Sequence, residues 1–115
     1  MKTIREQTSK IRIQQIQLYK SIKEVSNILS QNYTIEIIFL LSKEPLRNKQ
    51  IKKELHIPDN TLAKRLEKLI EYKVIEKLDV KFGNRKGHEY TITNLGQEII
   101  RFFKNYEMKR VSEGL

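Results

Sequence analysis

Between residues 48 and 73 the chain carries two short amphipathic segments of helical period with only a four-residue connection, and few folds accommodate that. Ile51 and Leu55 stand four apart on one face of the first, for which Asn48 is the expected cap. The connection His56-Ile57-Pro58-Asp59 is a tight turn, with Pro58 near the next helix start and Asp59 as its expected cap. In the helix that follows, Leu62, Leu66, Leu69 and Ile70 fall at i, i+4, i+7 and i+8, which defines an inner face. A rotation of about 100° per residue then places Asn60, Lys64 and Lys68 opposite, with Thr61 beside them and Glu67 and Glu71 further along. The amino-terminal half of that outer face is polar or positive.

The flanks can be read the same way. Residues 3–29 hold no Gly or Pro, and Ile4, Ile11, Leu18, Ile22, Val25 and Leu29 recur at helical spacing. Ile13, Ile16 and Tyr19 add a second stripe, so this helix has more apolar surface than a solvated arm tolerates. After an interruption at residues 30–32, with Asn32 as the expected cap, YTIEIIFLLS reads as a core helix. Downstream, residues 75–81 read as a strand, FGNRKG as the turn, and HEYTIT as the returning strand of a hairpin with a basic tip. Asn94 or Thr93 caps a last helix with the stripe Leu95, Ile99, Phe102, Phe103 and Tyr106. Periodicity is lost from Glu107 onward, and the last few residues are expected to fray.

Composition narrows the function. A chain of 115 residues supports one compact domain. Zero cysteines exclude disulfides and thiolate metal sites, and the two histidines, His56 and His88, lie far apart in sequence, so neither metal nor cofactor is expected. No apolar run approaches the roughly 20 residues of a bilayer span, and the amino terminus lacks the apolar stretch of a secretory signal. A cytoplasmic, nucleoid-associated protein is expected. A net charge of +9 points first to nucleic acid. No carboxylate pair, nucleophile-base constellation or phosphate-cradling glycine loop is present, so the chain does not read as an enzyme.

Helix, helix, turn, helix, hairpin, helix is the order of a winged helix-turn-helix domain. The segment EPLRNKQIKKELHIPDNTLAKRLEKLIEYKVIEK followed by KFGNRKGHEYTITNLGQEI resembles the winged-helix transcriptional regulators of the MarR, ArsR and HxlR type, and among them the small archaeal Lrs-like regulators. The resemblance spans about residues 33–106 and rests on TLAKRLEKL, on the aliphatic-Glu-Lys strand at Val74, Ile75, Glu76 and Lys77, and on YTITNLGQEI at the strand-to-helix junction. The fold class expected is mainly α with a small β-hairpin: a winged helix-turn-helix core (residues 31–94) between an amino-terminal dimerisation helix (1–30) and a carboxy-terminal one with a frayed tail (95–115).

An α-helix fits the major groove and reads base edges from its amino-terminal end. That assigns base reading to Asn60, Thr61 and Lys64 of a recognition helix over residues 59–73, with Arg65 and Lys68 beside them. Helix capping is the plain alternative for Asn60 and Thr61, and a phosphate or intramolecular contact for Arg65. In the wing, residues 81–88, Arg85 and Lys86 between two glycines suit the narrow minor groove, with Lys81, Asn84 and His88 around them. Arg47, Lys49, Lys52 and Lys53 are expected to hold phosphates, or else to form a solvated helix face. Tyr90, Thr91 and Thr93 are positions where a phosphoryl group would repel DNA. The terminal stripes, Ile4, Ile11, Leu18, Ile22, Val25 and Leu29 with Ile99, Phe102, Phe103 and Tyr106, are the expected homodimer interface, and the resemblance points the same way. The function expected is a site-specific, double-stranded-DNA-binding transcriptional regulator. The competing readings are an architectural, chromatin-like DNA coat and a winged helix that meets another protein. The sequence names no small-molecule effector.

Overall fold

The computed structural model describes residues 4–112, with side chains described from Lys10 onward. The chain divides into two compact units, Met1–Gln31 and Asn32–Leu115. The first is a single 26-residue helix, α1 (Ile4–Leu29). One helix cannot enclose a core, and Ile11, Ile13, Ile16, Leu18, Tyr19 and Ile22 are each more than half exposed. Ile4, named among the interface residues, has its side chain outside the described set.

The second unit runs α2 (Thr34–Leu41), α3 (Asn48–Leu55), α4 (Asp59–Glu71), β1 (Ile75–Phe82), β2 (Arg85–Ile92) and α5 (Asn94–Ser112). This is the mainly α architecture with one antiparallel hairpin that the sequence implies. Ile37, Ile38 and Leu41 of α2, Ile51 of α3, and Leu62, Leu66 and Leu69 of α4 form the buried centre, closed by Val74, Ile75, Tyr90 and Ile100. Full burial of each such side chain is worth about 1.5–3 kcal/mol relative to exposure. Ile57, in the connection of the helix pair, is also buried, which pins that turn to the core.

Several boundaries differ from expectation, each for a local reason. Asn32 does not cap α2. The chain turns at Tyr33, which sits in the left-handed region at φ 73°, while the Asn32 carbonyl accepts the Arg65 Nε–H at 2.9 Å. Asn48 is the first residue inside α3. Arg47 holds the cap position, its backbone N–H donated to Gln50 Oε1 at 2.8 Å. Asp59 likewise falls inside α4, because the Pro58 carbonyl already accepts the Leu62 N–H at 2.9 Å. α4 ends at Glu71 rather than residue 73, and β1 extends to Phe82. Of the two candidate caps for α5, Thr93 does the work. Its Oγ1 accepts the Gly96 N–H at 3.1 Å and directs its own proton at the carbonyls of Lys73 (2.6 Å) and Val74 (2.9 Å).

The buried residues of α5 are Gly96 and Ile100 and none of the expected stripe, in which Ile99 and Phe103 are half-buried, while Leu95, Phe102 and Tyr106 project outward. Nor does α5 stop at Glu107. The i,i+3 pair of Glu107 with Arg110 and the basic last turn at Lys109 and Arg110 carry it to Ser112.

α4 closes in a Schellman motif, with Val74 N–H bonded to Leu69 O and Lys73 N–H to Ile70 O, both at 2.9 Å. Lys73 occupies the left-handed position at φ 60°, where glycine is usual. Lys73→Gly is therefore expected to raise stability by about 1 kcal/mol. A melting temperature that stays put or falls would show that the lysine side chain contributes more than its backbone strain removes.

Candidate nucleic-acid interface

The outer face of α4 follows from its inner one. With Leu62, Leu66 and Leu69 buried, Asn60 and Lys64 stand exposed on the opposite side, and Thr61 is half-buried beside them. Neither Asn60 nor Thr61 makes a side-chain cap, so the plain alternative for them is not realised at this helix start. The other two residues expected here are engaged. Arg65 donates Nε–H to the Asn32 carbonyl. Lys68 pairs with Glu71 at 3.1 Å, and that hydrogen bond, then the carboxylate's charge, raises the ammonium above the ordinary lysine value.

On α3 the four cations also separate. Lys52 reaches across the turn to Asp59 at 2.7 Å. The Arg47 guanidinium lies over the Phe82 ring, 4.7 Å from its centroid. Lys49 and Lys53 are exposed and make no ion pair among the described residues. They line a shallow basic hollow with Lys52, His56, Ile57 and Pro58. His56, at φ 51°, is the left-handed residue that ends α3.

The wing is a ribbon closed by a two-residue turn, Gly83-Asn84, with φ +66° at Gly83, the first central position. Arg85 and Lys86 are therefore the first two residues of β2, not turn residues between glycines. Because Phe82 pairs with Arg85 and Lys81 with Lys86, the two cations project from opposite faces. On the Lys86 face, Lys81 stands directly opposite and His88 Nδ1 lies 2.9 Å from Asp79 Oδ1, so one shallow groove gathers two lysines and an acid–imidazole pair. Like charges facing each other across a ribbon are destabilising unless an anion neutralises them. Asn84 is exposed at the tip.

Two features that sequence patterning missed fix the wing. Leu46 and Tyr90 exchange both backbone hydrogen bonds, at 3.0 and 2.8 Å, tying the segment before α3 to β2. Phe82 meets Arg47. An isolated bridge has no periodicity to betray it, although the aromatic beside the Gly83 turn was a visible signal. Of the suggested phosphorylation positions, Tyr90 is buried and the Thr93 hydroxyl is held by two backbone carbonyls. Neither is placed to accept a phosphoryl group.

Among the described residues no three His, Asp or Glu side chains converge as a metal site would require. No described helix is long and apolar enough to cross a membrane.

The comparisons agree with this geometry. The family described as HxlR-like helix-turn-helix matches residues 28–112. The reduced form of the transcriptional regulator YodB from B. subtilis superposes with a TM-score of 0.69 at 22% identity, over 76% of this chain and 86% of that one. A transcriptional regulator homologue from Pyrococcus horikoshii gives 0.64 at 26% identity, over 83% and 96%. A protein of Porphyromonas gingivalis assigned to the MarR family gives 0.65 at 22%, over 82% and 91%. These likenesses speak to the fold. No curated protein matches the sequence.

Proposed function

The chain belongs to the HxlR-like helix-turn-helix family, transcriptional regulators of the winged-helix type and not enzymes, and from that premise we propose that it binds double-stranded DNA site-specifically as a homodimer. In this reading α4 lies in the major groove, where Asn60, Thr61 and Lys64 meet base edges, and the wing reaches the adjacent minor groove through Arg85. Lys49, Lys53, Lys81 and Lys86 meet phosphates. α1 and α5 act as dimerisation helices, through the exposed Ile11, Leu18 and Ile22 and the outward Phe102 and Tyr106, with the half-buried Ile99 and Phe103 beside them. Two copies related by a twofold axis present their recognition helices about 34 Å apart, which favours a palindromic site. The protein acts on the nucleoid, in the cytoplasm.

The observation that carries the reading is the sorting of the cations. Of the cations assigned to the interface, Lys49, Lys53, Lys64, Lys81, Arg85 and Lys86 make no ion pair among the described residues, whereas Lys52 and Lys68 do. These six lie on the helix pair and the hairpin, the two elements that a winged helix presents to a duplex, whereas other cations without an ion pair among the described residues, such as Lys104 and Lys109, lie on α5.

The test is a titration of duplexes selected from a random pool against bulk DNA, with Asn60→Ala and Lys64→Ala beside the parent. Each substitution is expected to relax the preference at one base position per half-site by roughly tenfold, from about 1–3 kcal/mol per bidentate contact. Uniform weakening across all sequences would make Lys64 a phosphate contact and favour the architectural reading. Absence of binding to any duplex would turn the winged helix toward a protein partner.

A further inference from the structure

A two-stranded ribbon is barely stable by itself, and residues 81–86 of this wing are exposed. Nevertheless a large apolar side chain sits at its tip. Phe82 is 37% exposed, directly before the turn, where solvent-facing ribbons usually place polar residues. Its ring is engaged on two sides. It lies so close to Gly87 on the returning strand that a Cβ there would stand 2.9 Å from Cε2 and 3.1 Å from Cδ2, so any larger residue would displace the ring. It also receives the Arg47 guanidinium.

Arg47 is in turn fixed by its backbone. Its neighbour Leu46 is bridged to Tyr90, its N–H is bonded to Gln50 Oε1, and its carbonyl accepts the N–H groups of Gln50 (3.0 Å) and Ile51 (3.1 Å). The stack thus runs from the wing tip to the first turn of α3, the helix joined to α4 by one short turn and by the Lys52–Asp59 pair.

We propose that Phe82, held by Arg47, is a positioning residue for DNA reading: it sets where the wing cation Arg85 lands relative to the bases that α4 reads. This rests on the DNA-binding reading above. Phe82 and Arg85 are cross-strand partners on the same face of the ribbon, so the angle of the ring is also the angle from which Arg85 projects. Arg47 keeps its positive charge at the surface while stacked, so the latch subtracts nothing from the field that attracts the duplex. Its role changes from the expected phosphate contact to an anchor.

The experiment is a double-mutant cycle on affinity for a selected duplex, using the full chain. Arg85→Ala is introduced into the parent, into Phe82→Leu, which keeps apolar volume without a π face, and into Phe82→Trp, which keeps the face. With a positioned wing, Arg85→Ala weakens binding about tenfold and lowers the salt slope by about one. In Phe82→Leu the same substitution changes affinity less than about twofold, and Phe82→Trp restores the larger effect, because coupled residues are non-additive. Should Phe82→Leu fold poorly, Arg47→Gln breaks the same contact from the other side, with the same loss of coupling expected.

An equal loss in every background would overturn the proposal, leaving Phe82 as mere packing. An Arg85→Ala effect absent from the parent, with Lys64→Ala still relaxing base preference, would remove the wing from reading and the latch with it. Failure of the parent to bind any duplex would instead sink the DNA-binding reading.

Discussion

Raising the salt from about 50 to about 200 mM is expected to weaken the complex with DNA by on the order of 10³-fold or more. The number of cations that meet phosphates sets this loss. Each phosphate neutralised by a lysine or arginine releases condensed counterions, and log K falls against log salt with a slope of about −0.9 per contact. Each protomer offers Lys49, Lys53, Lys64, Lys81, Arg85 and Lys86 without an ion pair among the described residues, and a dimer offers two such sets. If only half of them reach phosphates, the complex lies within the 6–10-contact range for which losses of about 10³–10⁵ are usual. The sharper expectation is the contrast between neighbours. Lys53→Ala should lower the slope by about one per protomer, whereas Lys68→Ala should barely move it. Lys68 already faces Glu71, and its proton is held more tightly than that of a free lysine for that reason. Fluorescence anisotropy at several salt concentrations measures both. A shallow slope in the parent, or an equal loss for Lys68→Ala, would mean that ion pairing within the free protein does not sort the contacts.

That contrast was not available from the sequence. Lys52 and Lys68 look no different from Lys53 and Lys64 on paper, because pairing depends on which carboxylate the fold brings near. What the residues did specify was periodic. Leu62, Leu66 and Leu69 defined the inner face of α4, and hence Asn60 and Lys64 outside it, because one helical turn relates them all. The two-residue turn was harder. Gly83-Asn84 and Gly87 both favour tight turns, and only the register, Phe82 opposite Arg85, decides that Arg85 and Lys86 belong to the strand. Caps slipped by one residue at Asn48 and Asp59, since the residue before each already satisfied the first helical bond through its backbone.

On α5 two apolar sets compete. The stripe through Leu95, Ile99, Phe102 and Tyr106 is the better pattern, yet Gly96 and Ile100 face the core of the unit. Period alone cannot say which of two apolar faces turns inward. The small residue marks the close approach, and its neighbourhood explains why.

Gly96→Ala is accordingly expected to destabilise the protein by about 2–3 kcal/mol, as overpacking of a tight site does. A Cβ at that position would stand 2.4 Å from Ile92 Cγ1 and 2.5 Å from the Val74 carbonyl oxygen. The isoleucine could turn aside, but the carbonyl cannot. It accepts the Thr93 N–H at 3.1 Å and lies 2.9 Å from the Thr93 hydroxyl, and it belongs to the residue that closes the Schellman motif of α4. Moving it would loosen the end of α4, the start of β1 and the cap of α5 together. Helix propensity argues the opposite sign, since alanine is better than glycine inside a helix by about 1 kcal/mol. The two effects therefore separate cleanly in one denaturant titration. A midpoint shifted down, with an unchanged slope against denaturant, would show that the contact of α5 with the α4–β1 junction is rigid. A midpoint shifted up would show that α5 can tilt away, and would make that junction a hinge and not a fixed seam.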